Sequence, residues 1–96
     1  MTSVSTHVLD TGAGRPASGV RVELYRGEDL VGTGETNDDG RISELAADVA
    51  AGTYRIVFHP PSAFFRRVEL EVELGDGHHH VPLLVAPYAC ASYRGS

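Results

Sequence analysis

Residues 68–74 read Val-Glu-Leu-Glu-Val-Glu-Leu, which puts four aliphatic side chains on one face of an extended chain and three carboxylates on the other. A period of two belongs to a strand with one face on a core and one in water. Val20–Leu24 repeats the pattern in shorter form. Tyr54–Phe58 concentrates the aromatic and β-branched residues that suit a pleated surface. Further strands are predicted over Val4–Asp10, Leu30–Glu35, Arg41–Leu45, His79–Ala86 and Ala89–Arg94. Turn formers separate them: Thr11-Gly12-Ala13-Gly14, Gly27-Glu28-Asp29, Asn37-Asp38-Asp39-Gly40, Gly52 and Gly75-Asp76-Gly77. About eight short strands so spaced predict an all-β sandwich. Glu44–Ala51 is alanine-rich but only about two turns long, so it is read as a turn or a single helical turn. His59-Pro60-Pro61-Ser62 interrupts the next connection, because each proline lacks an amide donor and disfavours helix in the residue before it.

The chain has 96 residues, so residues 1–96 are expected to form one domain around one core. No apolar run approaches the roughly 18–20 residues that cross a bilayer, and Met1 leads into Thr2-Ser3-Val4-Ser5 without a basic segment or an apolar signal core. A cytoplasmic protein is expected. Eight basic residues against 13 acidic ones give a net charge of −5, which provides no field to gather nucleic acid or an anionic membrane. Every basic residue is Arg, so Schiff-base chemistry and a lysine base are excluded. Cys90 is the one cysteine, cannot close an internal disulfide, and reads as a small buried side chain rather than a nucleophile.

Candidate chemistry therefore falls to histidine, carboxylate and hydroxyl groups. Five histidines include the run His78-His79-His80, and on a strand His78 and His80 share a side while His79 points away. Two readings stand beside each other: imidazoles exchanging protons near neutrality, or a solvated turn leading out of Gly75-Asp76-Gly77. His78 and His80 with His7 can offer three nitrogens to a metal. No cysteine pair, His-Glu-x-x-His helix or fixed carboxylate accompanies them, so no metal is expected. On the N-terminal strand Val4, Thr6 and Val8 fall on one face and Ser5, His7 and Leu9 on the other. Arg41 follows a tight turn at the start of a strand, where its guanidinium is either held out to a planar anion or is an exposed hairpin charge. Gly12-Ala13-Gly14 lacks the strand-to-helix setting of a dinucleotide loop. Tyr93-Arg94-Gly95-Ser96 is either a frayed tail or a source of phenol, guanidinium and hydroxyl.

Taken together, His7-Val8-Leu9-Asp10, Gly14-Arg15-Pro16-Ala17, His80-Val81-Pro82-Leu83-Leu84, Pro87-Tyr88 and Tyr93-Arg94-Gly95-Ser96 closely resemble the transthyretin-related 5-hydroxyisourate hydrolases. The N-terminal block is shared with transthyretin; the terminal Tyr-Arg-Gly-Ser resembles the hydrolase branch. The resemblance implies an eight-stranded prealbumin-like sandwich, assembled as a homotetramer with active sites at a subunit interface. It also implies cofactor-independent opening of a cyclic amide of 5-hydroxyisourate by water during urate breakdown. Carried over by their motifs are His7, His80 and Ser96 as catalytic residues and Arg41 for substrate, with Tyr93 and Arg94 as supports. The alternatives are a non-catalytic carrier of small ligands or an interaction module on the same sandwich, and a metallohydrolase. Two departures stand out. His79 occupies a position that is commonly aromatic in related sequences, and the 59–65 connection is short where the family generally inserts a helix, so that helix is expected to be reduced or absent.

Overall fold

The alternation predicted for the N-terminal segment is realised in β1 (Thr2–Asp10), where Val4, Thr6 and Val8 are buried while Ser3 and His7 are half-buried. The computed structural model describes residues 1–95. Nine strands follow β1: β2 (Arg15–Pro16), β3 (Arg21–Arg26), β4 (Asp29–Glu35), β5 (Arg41–Val49), β6 (Gly52–His59), β7 (Val68–Leu74), β8 (Gly77–His80), β9 (Leu83–Ala86) and β10 (Ala89–Ser92). Among the described residues there is no helix, and none long and apolar enough to cross a membrane.

Two sheets share the core. One is antiparallel in the order β4-β3-β6-β7. The other is built on β1, with β5 antiparallel along one side and β8 then β9 parallel along the other. β2 pairs with the end of β1, and β10 closes the far edge on β9. Val4, Val8, Leu83 and Val85 meet Val22, Leu24, Ile56 and Phe58 in one cluster. Burying an aliphatic or aromatic side chain of this size contributes roughly 1.5–3 kcal/mol, so these contacts hold the sheets face to face. In β7, Val68, Leu70 and Val72 pack against that cluster and the intervening glutamates are exposed, as the alternation predicts.

The expected eight-stranded sandwich is present in ten segments. Val81 and Pro82 split the predicted His79–Ala86 strand into β8 and β9, because Pro82 has no N–H for the ladder. The break is bridged: Thr6 Oγ1 donates to Val81 O at 2.6 Å, and Val81 N to Ser5 O at 2.9 Å. The two-residue β2 is the other addition.

Glu44–Ala51 corrects the turn or helical-turn reading. β5 continues through Val49, with Ala46 opposite Val4 and Val49 opposite Thr2, and Leu45 and Ala46 are buried. Alanine favours helix, but so short a segment cannot meet the cost of nucleation, and β1 offers it a ladder. Cys90 is also corrected: it is exposed, because β10 is an edge strand and all four of its residues lie open. The 59–65 connection holds no helix, as expected; Ser62 Oγ instead accepts from Phe64 N and Phe65 N at 3.1 and 2.9 Å.

Candidate active site

The register around β1 decides which side chains meet. His7 lies opposite Arg41 on β5, while Ser5 lies opposite His80 and Ser3 opposite His78 on β8. Directly opposed residues share a face, and residues two apart along a strand share it too. Ser3, Ser5, His7, Arg41, His78 and His80 therefore occupy the outer face of this sheet, with Val4, Thr6 and Val8 beneath them in the core.

Arg41 is aimed by the turn before it. Asn37 Oδ1 accepts from Asp39 N at 2.9 Å and Arg41 N at 3.0 Å, and Gly40 N donates to Asn37 O at 2.9 Å. Gly40 has φ +74°, and a Cβ there would lie 2.5 Å from the carbonyl oxygen of Val8, so this turn requires glycine. Two bonds tie it to β1: Val8 N donates to Gly40 O at 2.7 Å, and His7 Nε2 to Asp39 O at 2.9 Å. A carbonyl only accepts, so Nε2 of His7 carries its proton into that bond and Nδ1 is left as the second nitrogen. Arg41 is exposed and makes no ion pair among the described residues.

His80 is half-buried. Its Nδ1 lies 2.8 Å from Ser5 Oγ, and that hydroxyl also lies 2.9 Å from His78 Nε2. Burial, then the charges of Arg41, His7 and His78, hold the His80 pKa below the ordinary 6.5. The imidazole is thus kept neutral, as a base requires. His79 turns away, its Nε2 donating to Gly75 O at 2.9 Å, which matches the predicted alternation.

A cavity of about 250 Å³ opens here, lined by Ser5, Arg41, Ser43, His78 and His80 among others. His7 stands outside this lining. A larger depression of about 610 Å³ lies on the other flank of His80 and takes in Tyr93 and Arg94. We take the smaller cavity as the chemical centre, because Arg41 and the paired imidazoles face it. Tyr93 and Arg94 are separated from Arg41, with His80 common to both hollows. Gly95 N donates to His80 O at 2.8 Å, and a Cβ on Gly95 would come within 2.7 Å of His80 Cδ2, so Gly95 lies directly on this histidine. Ser96 lies outside the described residues. No three His, Cys, Asp or Glu side chains among the described residues gather as a metal would require.

Sequence reasoning did not single out Ser3 or Ser43, and gave Ser5 only a face. The N-terminal alternation placed Ser5 beside His7, but its contact with His78 and His80 spans more than 70 residues and depends on parallel pairing.

The outer face of this sandwich thus sets two histidines and an arginine with no ion pair among the described residues around one small hollow, groups that can exchange a proton and hold an anion. Residues 4–95 match the model of the HIUase/Transthyretin family, and the chain belongs to that family. It is 42% identical to 5-hydroxyisourate hydrolase 2 of Rhizobium meliloti, covering 97% of this chain and 95% of the relative. That alignment runs over 114 positions against 96 residues here, so the relative has segments this chain lacks. The structure of Klebsiella pneumoniae 5-hydroxyisourate hydrolase superposes with a TM-score of 0.90 at 36% identity, covering 100% of both chains. Sea bream transthyretin, 22% identical, shares the fold with a TM-score of 0.83 over 96% of this chain and 93% of that one.

Proposed function

We infer that the protein is a 5-hydroxyisourate hydrolase acting in urate breakdown, where it yields 2-oxo-4-hydroxy-4-carboxy-5-ureidoimidazoline. Full-length likeness to hydrolases of that name supports the activity. The observation that carries the site is the register of β1, which sets Arg41 opposite His7 and His80 opposite Ser5 on one face.

The substrate is a polar, electron-poor ring, and opening its cyclic amide needs a positioned water, a base, a counter-charge for the oxyanion and a proton for the departing nitrogen. Arg41 binds the ring and stabilises the oxygen that gains charge as water adds. His80, neutral and facing Arg41, takes the proton from water. His7, held by Asp39 O, orients the attacking water or the ring through Nδ1, and the departing nitrogen receives the proton collected by the imidazoles. Ser96 orients water or substrate and forms no acyl intermediate. Tyr93 and Arg94 shape the approach on the far side of His80.

The reading includes a cytoplasmic homotetramer with sites at a subunit interface. Its support is the likeness to family members and the position of the site on an open sheet face. The exposed, unpaired thiol of Cys90 is compatible with a reducing compartment.

The test is a spectrophotometric assay on freshly generated 5-hydroxyisourate, comparing the full chain with one lacking Ser96. Rapid decay with the full chain and a large loss without Ser96 are expected. Absence of turnover by the full chain refutes the enzyme reading and leaves a small-ligand carrier. Equal turnover by both removes Ser96 from the site.

A further inference from the structure

Three residues that line the cavity, Ser5, His78 and His80, touch one another in a row that ends on Ser3. Ser3 Oγ lies 2.7 Å from His78 Nδ1, and Ser5 Oγ lies 2.9 Å from His78 Nε2 and 2.8 Å from His80 Nδ1. The parallel register of β1 with β8 produces the row, since it sets Ser3 beside His78 and Ser5 beside His80. Ser5 is buried, whereas His78 is exposed.

A hydroxyl has one proton to give and two lone pairs to accept with; accepting from both rings would leave its proton without a ring partner, whereas donating to one ring and accepting from the other uses both functions and links the two imidazoles. Two ordered states result. In the first, His80 Nδ1–H donates to Ser5, Ser5 to His78 Nε2, and His78 Nδ1–H to Ser3, which leaves Nε2 of His80 as a free base. In the second, all three bonds reverse and Nε2 of His80 carries a proton.

We propose that the Ser5 hydroxyl couples His80 to His78 as a proton relay, making His78 the outer terminus of the acid–base unit. The proposal rests on the reading of His80 as the group that deprotonates water. Starting from the first state, His80 takes a proton from water at Nε2 and passes its Nδ1 proton to Ser5. Ser5 passes its own proton to His78 Nε2 and remains a neutral hydroxyl. His78 becomes the imidazolium, and the hydroxide adds to the carbonyl. When the C–N bond breaks, the nitrogen takes the proton from His80 Nε2 and the relay runs backward, restoring every group.

The surroundings favour sending the charge outward. His80 faces His7 on β1 and Arg41 on β5, so a cation retained there meets two basic neighbours; its other flank holds Glu71, Glu73, Asp76, Tyr93 and Arg94. His78 lies one pair further along β1 from the His7–Arg41 pair than His80 does, and is the more exposed ring of the two. Like charges repel and burial disfavours ionisation, so the displaced proton gains by moving to the exposed ring.

His78 is a positioning residue in this scheme. Ring-nitrogen chemical shifts of His78 and His80, followed through a pH titration in the wild type, Ser5→Ala and His78→Asn, test the coupling directly. The wild-type rings should change tautomer together, and in Ser5→Ala the His80 ring should titrate independently of His78. With 5-hydroxyisourate, each single variant should lose about tenfold in kcat at similar KM, and the double variant no more than either single, because both cut one path. Unlinked titration in the wild type, or losses that multiply in the double variant, overturns the relay. Should the wild type fail to turn over 5-hydroxyisourate, the activity reading falls while the ring titrations still decide the coupling.

Discussion

His80 meets the rest of the molecule on three sides: Ser5 at its Nδ1, Arg41 across the cavity and Gly95 against its ring. Removing it takes away the proposed base and one wall of each hollow. In His80→Ala, kcat should fall by roughly 10²–10⁴-fold, the range for a positioned acid–base group, while the far-ultraviolet spectrum stays that of a sandwich. The sign of its pKa displacement gives a second expectation. Because the folded pKa lies below 6.5, the base form survives acidification past the point where an ordinary histidine is protonated, and the acid limb of the kcat/KM profile should fall below pH 6.5. The unfolded chain binds this proton first, so the same group makes folding less favourable as pH drops through 6.5. Rate and denaturation profiles measured over one pH series check both statements.

At the level of strands and turns, the Asn37–Gly40 turn links stability to binding. Gly40→Ala forces a side chain into a left-handed backbone and against Val8 O, so it should cost about 1–3 kcal/mol in chemical denaturation. It should also raise KM by displacing Arg41, which follows directly in the chain. On the opposite sheet Glu23 is buried on β3 and receives His59 Nε2 at 2.8 Å, Arg21 Nη2 at 3.1 Å and Tyr25 Oη at 3.3 Å. The bond from His59 leads the causes that hold its pKa below 4.5, against the opposing effect of burial. A depressed carboxyl pKa stabilises the fold above 4.5 and loses that contribution as pH falls through the folded value. Glu23→Gln should therefore lower the denaturation midpoint at pH 7, and the gap from wild type should close in acid.

Legibility followed the range of the interaction that decides each element. Val68–Leu74 carries its period within seven residues, and β7 matches it. Glu44–Ala51 has no such alternation; its strand state is imposed by β1, some 40 residues earlier, and local propensity pointed elsewhere. His7, Arg41 and His80 were named as candidates through residue chemistry and family motifs, and the register of β1 places them on one face. The contacts of Ser3 and Ser5 with His78 exist only once distant strands pair in register.

Viewed whole, the molecule divides its duties between the two sides of one strand. Even-numbered Val4, Thr6 and Val8 belong to the interior, and odd-numbered Ser3, Ser5 and His7 to the face that carries the candidate site. Parity along this short stretch therefore sorts mutational consequences. A library diversified at 3 and 7 should scatter turnover while melting temperatures cluster near the parent's. One diversified at 4, 6 and 8 should scatter melting temperatures first, and a single deletion between Ser3 and Val8 should exchange the two sets and forfeit both properties at once.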